Sequence, residues 1–347
     1  MRKILTIIIP SYNMEKYLSN AINSLIIKKE LFEKIEILVV NDGSTDNTLN
    51  IANKFQNNYP NTIFVINKKN GNYGSCINEG LRQAKGYFIK ILDADDTFIK
   101  NTFEQYVKSL CELLESNNVP DMIITDSQII DENGKITKHL THKEISNRII
   151  DISKERLGLF SKLTHHSITY KLEVLKEMNY IQKEKLSYTD QEWVSLPFLN
   201  LKKYYYMPLT LYSYLVGRVG QTMEPKTLIK QANNRLEVKK HMIEFYSNEK
   251  DKYDKENTEI VFNLIINLIE PLYFEYILKY NGLLSIKEIT NFDQYLSSRY
   301  KEFYLELEKC RMKFFNILYI KKFREDSCSV VFKLIQKIYF INNRGFR

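Results

Sequence analysis

The stretch Ile35-Glu36-Ile37-Leu38-Val39-Val40-Asn41-Asp42-Gly43-Ser44-Thr45-Asp46-Asn47-Thr48 decides the fold class. Its first six residues read as a strand buried on both faces, and its polar end runs into a helical pattern over Thr48–Phe55. The same order recurs on either side. Ile4–Ile9 is an apolar run rich in β-branched residues that ends in Pro10-Ser11-Tyr12-Asn13. Asn13–Ile27 then places Tyr17, Leu18, Ala21, Ile22 and Leu25 at helical spacing. Downstream, Thr62–Ile66 predicts a strand, Ser75–Ala84 a helix, Tyr87–Leu92 a strand, Asn101–Glu115 a helix and Met122–Thr125 a strand. This alternation predicts an α/β fold with a doubly wound, mainly parallel sheet and helices on both faces. Ligands of such sheets gather at the carboxyl ends of the strands. Three polar strand ends fall there: Pro10–Asn13, Asn41–Asp46 and Asp93-Ala94-Asp95-Asp96.

Beyond residue 125 the rhythm changes. Asp131-Glu132-Asn133-Gly134 reads as a hairpin turn, and Lys203–Tyr206 and Thr210–Leu215 read as two short strands around Pro208. From Pro225 the pattern is helical, which sets a boundary near residue 222 between a domain of residues 1–222 and a helical region of residues 223–347. The 347 residues are 44% hydrophobic with only 11 Gly and 7 Pro, which excludes disordered or collagen-like chains. Four scattered cysteines (Cys76, Cys111, Cys310, Cys328) make no disulfide framework or zinc knuckle, as expected in a reducing compartment. The apolar start is too short for a signal peptide. In the longest candidate span, Ile260–Phe274, Asn263, Asn267, Glu270 and Pro271 argue against a membrane-crossing helix.

Asp93-Ala94-Asp95-Asp96 carries the sharpest chemistry. Alternate residues at a strand end can point two carboxylates one way and offer hard oxygen ligands to Mg²⁺ or Mn²⁺. Such a cation suits the neutralisation of a diphosphate leaving group; an acidic turn capping the next helix has the same composition. Asp42, nearest its strand end, is free to accept an N–H from a base, whereas Asp46 fits a helix cap. Asn70-Gly71-Asn72-Tyr73-Gly74 is GxxG, a glycine-permitted turn or a phosphate contact, and lacks the dinucleotide fingerprint.

Taken together, IIIPSYN (Ile7–Asn13), VVNDGSTDNT (Val39–Thr48), GNYGSCINEGLRQAKGYFIKILDADD (Gly71–Asp96) and YTDQEW (Tyr188–Trp193) resemble the family 2 glycosyltransferases of GT-A fold, over roughly residues 3–222. The resemblance implies inverting transfer of a sugar from a nucleotide-diphosphate sugar, usually a UDP-sugar, to an acceptor hydroxyl. It puts Pro10 and Tyr12 at the nucleobase, Asp42 at the uracil, and Asp93, Ala94 and Asp95 at the ribose and metal, with Asp96 assisting. It implies Mn²⁺ or Mg²⁺ as cofactor. Asp190 falls where the family keeps its general base; Thr189 replaces the usual first acidic residue, so Glu192 stands as the alternative. Arg218, in a glycine-flexed loop, matches a phosphate contact. His165 and His166 suit the acceptor side; a histidine pair is also compatible with a metal, although no third ligand stands at suitable spacing.

Residues 309–347 hold ten basic and two acidic side chains, a surplus equal to the net charge of the whole chain, +8. With its amphipathic Val330–Ile341 this tail fits either an anionic membrane face or a helical pair packed on the protein. The neutral body offers no groove for nucleic acid. The implied acceptor is a saccharide or lipid-linked saccharide of surface glycan synthesis, and the implied place is the cytoplasm, peripheral on the inner membrane face. Two other readings are a nucleotide-sugar-binding module without catalysis and a membrane-surface adaptor.

Overall fold

The computed structural model describes residues 3–116, 118–145, 147–154, 159–218, 221, 224–280, 283–311 and 317–326. Among them ten strands form one mixed sheet: β1 (Leu5–Ser11), β2 (Ile35–Asn41), β3 (Ile63–Asn67), β4 (Phe88–Ile91), β5 (Thr97–Phe98), β6 (Met122–Ile130), β7 (Ile136–Leu140), β8 (Ile149–Asp151), β9 (Ile168–Lys171) and β10 (Lys203–Leu215). The main path runs β3-β2-β1-β4-β9-β6-β10-β5. β3, β2, β1 and β4 form a parallel block, and β6 and β10 form a second parallel pair. β9 enters antiparallel between β4 and β6. It therefore brings its own start, not its end, to the edge where β4 finishes.

β1 and β2 are apolar on both faces because helices cover both; Ile7, Ile8, Ile9, Ile37, Val39 and Val40 are all inaccessible to solvent. Each such side chain contributes about 1.5–3 kcal/mol on burial. The helices after β2, β3 and β5 span Thr48–Asn58, Asn72–Gln83 and Lys100–Glu115. The helix expected over Asn13–Ile27 is shorter, Leu18–Ser24. Asn13 takes a left-handed φ of 54°, and the N–H groups of Asn13 and Met14 donate to Ser44 Oγ and Thr48 Oγ1 instead of extending the helix.

The turn at Asp131–Gly134 joins β6 to antiparallel β7, with Gly134 at φ 76°. The two short strands expected around Pro208 are one strand, β10. Its register against β6 shifts between Met207 and Thr210 and again before Tyr212. Pro208, which has no N–H to donate, is absorbed at that irregularity.

Two compact units divide the chain. The first runs to Gln221 and takes in Glu249–Val261; the second holds Thr222–Asn248 and the chain from Phe262 onward. The described part of the second unit is helical, with Ile286–Arg299, Lys301–Leu307 and Tyr319–Asp326 among its helices. The helix at the candidate span is longer than the Ile260–Phe274 read from the sequence. Lys255–Lys279 is long and apolar enough to cross a membrane, with mean hydropathy 1.4 over a window that is 56% buried. Helix continues through Pro271 and widens into a π turn at Glu275–Lys279. Glu270 is satisfied within the protein, where the Tyr319 hydroxyl donates to its Oε1 at 2.5 Å. A buried core helix passes the same length and composition test.

The described part of the basic tail is largely neutralised. Arg324, within Tyr319–Asp326, donates to both oxygens of Asp293 at 2.6–3.1 Å. Its guanidinium lies 3.6 Å from the Tyr304 ring centre. Lys322 pairs with Glu325, and Lys309 with Glu306. The amphipathic segment at residues 330–341 lies outside the described residues.

Candidate active site

The carboxyl ends of β1 and β2 are laced to each other. Asn13 accepts the Thr45 N–H at 2.9 Å, and Glu15 Oε2 accepts that of Asn47 at 3.0 Å. In return Asp46 accepts the N–H groups of Glu15 and Thr48. Burial acts to raise the Asp46 carboxyl, but the bonds from Thr48 and Glu15 outweigh it and hold it below its usual range. Asp46, one residue before the Asn47 cap position, thus holds the first N–H of the following helix. Pro10 is half-buried at the end of β1 and Tyr12 beyond it is 48% exposed.

Asp42 does not stand free. It is 2% exposed, and its Oδ1 accepts both Lys68 Nζ at 2.6 Å and the Gly71 N–H at 2.9 Å. Lys68 also donates to Ser75 Oγ at 2.7 Å. The β2 end is thereby clamped to the start of helix Asn72–Gln83. Gly74, on that helix, is a close-packing residue: a Cβ there would strike the carbonyl oxygen of Lys183 and lie 3.1 Å from Gln182 Cβ. Asn78, one turn on, accepts the Gln182 N–H and donates to the Gln182 carbonyl. So the helix fixes the segment that leads to Asp190.

After β4 the chain turns through Asp93-Ala94-Asp95-Asp96, with the Asp96 N–H returning to the Asp93 carbonyl at 3.0 Å. The four residues have different surroundings. Asp93 Oδ1 accepts the Tyr73 hydroxyl at 3.0 Å, and Oδ2 lies 2.9 Å from His165 Nε2. Ala94 is buried. Asp95 accepts Arg218 Nε at 2.5 Å, and the Arg218 guanidinium sits 5.6 Å from the Tyr17 ring centre. Asp96 is 1% exposed; its Oδ2 accepts the Tyr212 hydroxyl and its Oδ1 the Leu215 N–H, both at 2.7 Å. The Tyr212 hydroxyl also accepts the Asp93 N–H at 3.1 Å. Asp96, expected among the metal ligands, instead braces the turn against β10.

Electrostatics separate the three carboxyls. Burial raises all three, but at Asp93 the neighbouring His165 and His166 and the Tyr73 hydrogen bond win, so that carboxyl is held well down. At Asp95 burial and the Asp93 charge prevail over Arg218 and push the group up. Asp96 is pushed up furthest, by burial and then by Asp95 and Asp93. Asp93 is therefore the firmly ionised member.

His165 and His166 lie in the 3-10 turn His165–Ser167 that leads into β9, and the antiparallel sense of β9 delivers them to this edge. Both are more than nine-tenths buried. The His165 ring reaches two carboxylates: Nε2 faces Asp93, and Nδ1 lies 3.7 Å from Asp190 Oδ2. Burial opposes charging of His165, yet Asp93 raises it above the ordinary histidine value. His166 is driven well below that value by burial and by His165; it is a neutral imidazole at pH 7. Its ring packs between His165, Tyr212 and Tyr214, with centroids 3.9–4.7 Å apart. His166 Nε2 finds no hydrogen-bond partner among the described residues, although Asp93 Oδ2 and Asp96 Oδ2 both lie 3.9 Å away. Beneath the pair, Lys90 of β4 is fully buried and donates to the His166 and Ile168 carbonyls at 2.8 and 3.2 Å.

Asp190 opens the short helix Asp190–Trp193, and its side chain is 37% exposed. Glu192, the alternative base, is fully buried and accepts the Lys183 N–H at 2.8 Å. Through that bond it secures the loop. The structure thus gathers Asp93, Asp95, His165, His166, Asp190 and Arg218 at one edge and sets Asp96 and Glu192 in supporting positions. Lys68, Lys90 and Tyr212 were not singled out from the sequence, and Tyr73 was named only within the Asn70–Gly74 turn; a lysine inside the β4 pattern was a visible signal. The third partner for the histidine pair is Asp93, 72 positions earlier. Asp93, His165 and His166 place one ligand atom each within 4.8 Å of one another, a group able to hold a metal ion. The unpartnered His166 nitrogen shows that the donor set fits a cation.

Comparison with known proteins bears on the family and the fold. The model of Glycosyl transferase family 2 matches residues 6–172. The chain is 33% identical over 219 residues to the minor teichoic acid biosynthesis protein GgaB of Bacillus subtilis, covering 62% of this chain and 23% of that one. It is 30% identical over 252 residues to an uncharacterized glycosyltransferase of Mycoplasma pneumoniae, the MG060 homolog, covering 71% and 79%. The poly(ribitol-phosphate) beta-N-acetylglucosaminyltransferase TarS of Staphylococcus aureus is 27% identical over 221 residues, 63% of this chain and 36% of that one. The structure of TarS 1-349 in complex with UDP-GlcNAc superposes with a TM-score of 0.61 at 20% identity, over 85% of this chain and 80% of that one. The chain thus spans less than a quarter of GgaB and about a third of full-length TarS.

Proposed function

The chain belongs to glycosyltransferase family 2, and on that premise we propose that it moves a sugar from a UDP-sugar to a hydroxyl of a saccharide polymer, inverting the anomeric centre. The observation that carries this reading is the chain Asp93–His165–Asp190. It sets an exposed carboxylate on the far side of one imidazole from the acidic turn where a sugar nucleotide would lie. A single displacement needs that separation: a base beside the acceptor hydroxyl and charge-stabilising groups at the leaving diphosphate.

In this mechanism Pro10 and Tyr12 flank the uracil at the ends of β1 and β2, and Asp42, held by Lys68, orients it. Asp93 and the Ala94 backbone meet the ribose, and Arg218 leaves Asp95 for the diphosphate. Asp190 takes the proton of the acceptor hydroxyl as its oxygen bonds the anomeric carbon and the bond to the UDP oxygen breaks. A divalent cation, Mn²⁺ or Mg²⁺, would be held at the Asp93–Asp95 turn, and when bound it offsets the negative charge of the leaving diphosphate. The relatives support an N-acetylhexosamine donor and a teichoic-acid-like acceptor, since GgaB is named for minor teichoic acid biosynthesis and TarS for transfer to poly(ribitol-phosphate). Work on such a polymer would bring the enzyme to the cytoplasmic face of an anionic membrane, with Lys333, Lys337, Arg344 and Arg347 supplying charge; co-flotation with vesicles containing an anionic lipid tests that placement.

Asp190→Asn tests the chemistry. Transfer to acceptor should fall by about 10²–10⁴-fold, while calorimetric UDP binding stays at the wild-type level. Full activity in this variant would remove Asp190 from the mechanism, and absence of UDP binding in the wild type would remove the donor assignment.

A further inference from the structure

We propose that the basic outer strand of the β6–β7 hairpin is a docking track for the acceptor, and that this acceptor is a polyanionic chain linked by phosphodiesters. The transfer reading above is the premise for what the chain does there; its binding is measurable without a sugar nucleotide.

Position comes first. Thr169 of β9 pairs with Lys90 of β4 on one side and with Ile123 of β6 on the other, so Lys90 and Ile123 are level. β4 ends at Ile91, whereas β6 continues to Ile130. At about 3.3 Å per residue the hairpin stands roughly 20 Å past the end of β4, on the edge where the acidic turn lies. β9 and β7 follow one another along the same side of β6: Ile124 pairs with Ile168, and Ser127 with Leu140. The join between them is tied to β6. Thr125 Oγ1 donates to the Ser167 carbonyl at 3.4 Å, and Asp126 Oδ1 accepts the His142 N–H at 3.0 Å. β7 therefore leads outward from the turn that carries His165, whose ring lies 3.7 Å from Asp190.

Charge says what the track fits. Lys135, Lys138 and Lys143 are exposed, and none of them makes an ion pair among the described residues. From Lys135 to Lys143 the sequence holds no acidic residue. The two acids of the hairpin sit in its turn, where Asp131 Oδ1 accepts the N–H groups of Asn133 and Lys135. Glu144, just beyond, is paired with Lys162. Three uncompensated ammonium groups suit repeating phosphates, which stay ionised at every unit, and are of no use to a neutral glycan. β7 pairs only with β6 among the described residues, so its outer backbone groups are open to a bound chain as well. Lysines on an open strand also keep two copies from pairing edge to edge. Direction favours the ligand: the charges form a line that starts at the reacting edge and runs outward, a course that an extended polymer follows and a flat membrane does not.

The test uses the full chain. Its binding of poly(ribitol phosphate) should weaken by roughly 20–40-fold between about 50 and 200 mM salt, the loss expected for three neutralised phosphates, and dextran, a neutral polymer, should not bind. Lys135→Gln, Lys138→Gln and Lys143→Gln combined should weaken binding at the lower salt by about tenfold or more and flatten the salt dependence. Arginine at the same three positions should preserve both. In the glutamine protein UDP binding should stay at the wild-type level, and the KM for the polymer should rise with kcat unchanged, as when uniform binding is lost. Lys333→Gln with Lys337→Gln, in the basic tail, should leave polymer binding as it was. Wild-type polymer affinity in the folded glutamine protein would overturn the proposal, whether that protein then dimerises, loses co-flotation with phosphatidylglycerol vesicles, or does neither. Tighter binding of polygalacturonate, or loss of polymer binding in the tail variant alone, would overturn it too. Lysine-dependent polymer binding without transfer by the wild type would remove the transfer reading and leave this surface; transfer with an unchanged KM in the glutamine protein would do the reverse.

Discussion

Replacing Lys90 by methionine puts the electrostatics beneath the histidine pair on trial. Lys90 has no carboxylate partner among the described residues; its ammonium meets two backbone carbonyls and faces the Phe98 ring, 6.0 Å from its centre. Burial alone lowers its pKa to about 7 from 10.5. A gap of about 3.5 units corresponds to about 5 kcal/mol between the two protonation states. The direction follows from proton counts. Between pH 7 and 10.5 the unfolded chain binds the proton and the folded protein does not, so stability rises with pH in that window. Below pH 7 both states hold the proton and the cost of the buried charge is carried in full. Lys90→Met removes this titration and leaves the His166 and Ile168 carbonyls short of a donor, a loss of about 1–3 kcal/mol with no pH dependence of its own. The measurement is urea unfolding of both proteins from pH 7.5 to 9.5, followed by emission of Trp193. That residue is the one tryptophan of the sequence and is fully buried in the first unit. The stability of wild type relative to variant should climb by about 2 kcal/mol across the range. Parallel curves would refute the reasoning, since they would mean that water reaches the amine and keeps it charged.

Other expected outcomes follow from single contacts. Gly74→Ala should destabilise the protein by about 1–3 kcal/mol, because the new methyl meets the Lys183 carbonyl; transfer should fall with it as the loop before Asp190 shifts, seen by comparing melting and steady-state rates. Tyr212→Phe removes the hydroxyl shared by Asp93 N–H and Asp96 and should cost about 1–3 kcal/mol in denaturant unfolding, with weaker UDP binding by calorimetry. In the second unit, Arg324→Met leaves Asp293 buried without its fork and should cost about 3–5 kcal/mol. Adding Asp293→Asn should recover part of that loss in thermal unfolding, and no recovery would mean that the guanidinium acts through its packing on Tyr304.

The parallel block and its polar strand ends were legible because both are local: a buried strand, a turn and an amphipathic helix each lie within fifteen residues. Asp46 at the helix start, Gly134 in its turn and Asp93 at the strand end followed from the same reasoning. What escaped was pairing over long separations. The sequence shows His165-His166 and Asp93, but nothing local says that β9 runs antiparallel and lays the histidines beside the acidic turn. Asp42 looked free because its partners, Lys68 and the Gly71 N–H, lie 26 and 29 positions further on. Asp96 and Glu192 entered through the family resemblance; burial and their partners Tyr212, Leu215 and the Lys183 N–H make them supports. The helix through Pro271 fell within the helical pattern from Pro225, but the partner of its Glu270, Tyr319, lies far along the chain and was not legible.

The bracing of the acidic turn by β10 bears on how the site matures during synthesis. Tyr212, Leu215 and Arg218 reach Asp93, Asp96 and Asp95 across 116 to 123 positions of sequence. Such closures form slowly, because the chain must lose the entropy of a long loop before any contact repays it. A ribosome releasing this chain N-terminus first would expose β1 to β4 as a nearly complete parallel block while the Asp93–Asp96 turn still lacked its partners. A nascent chain arrested before residue 203 should therefore have the core of the sheet and a shapeless acidic loop, and ligand competence should arrive only once β10 has docked.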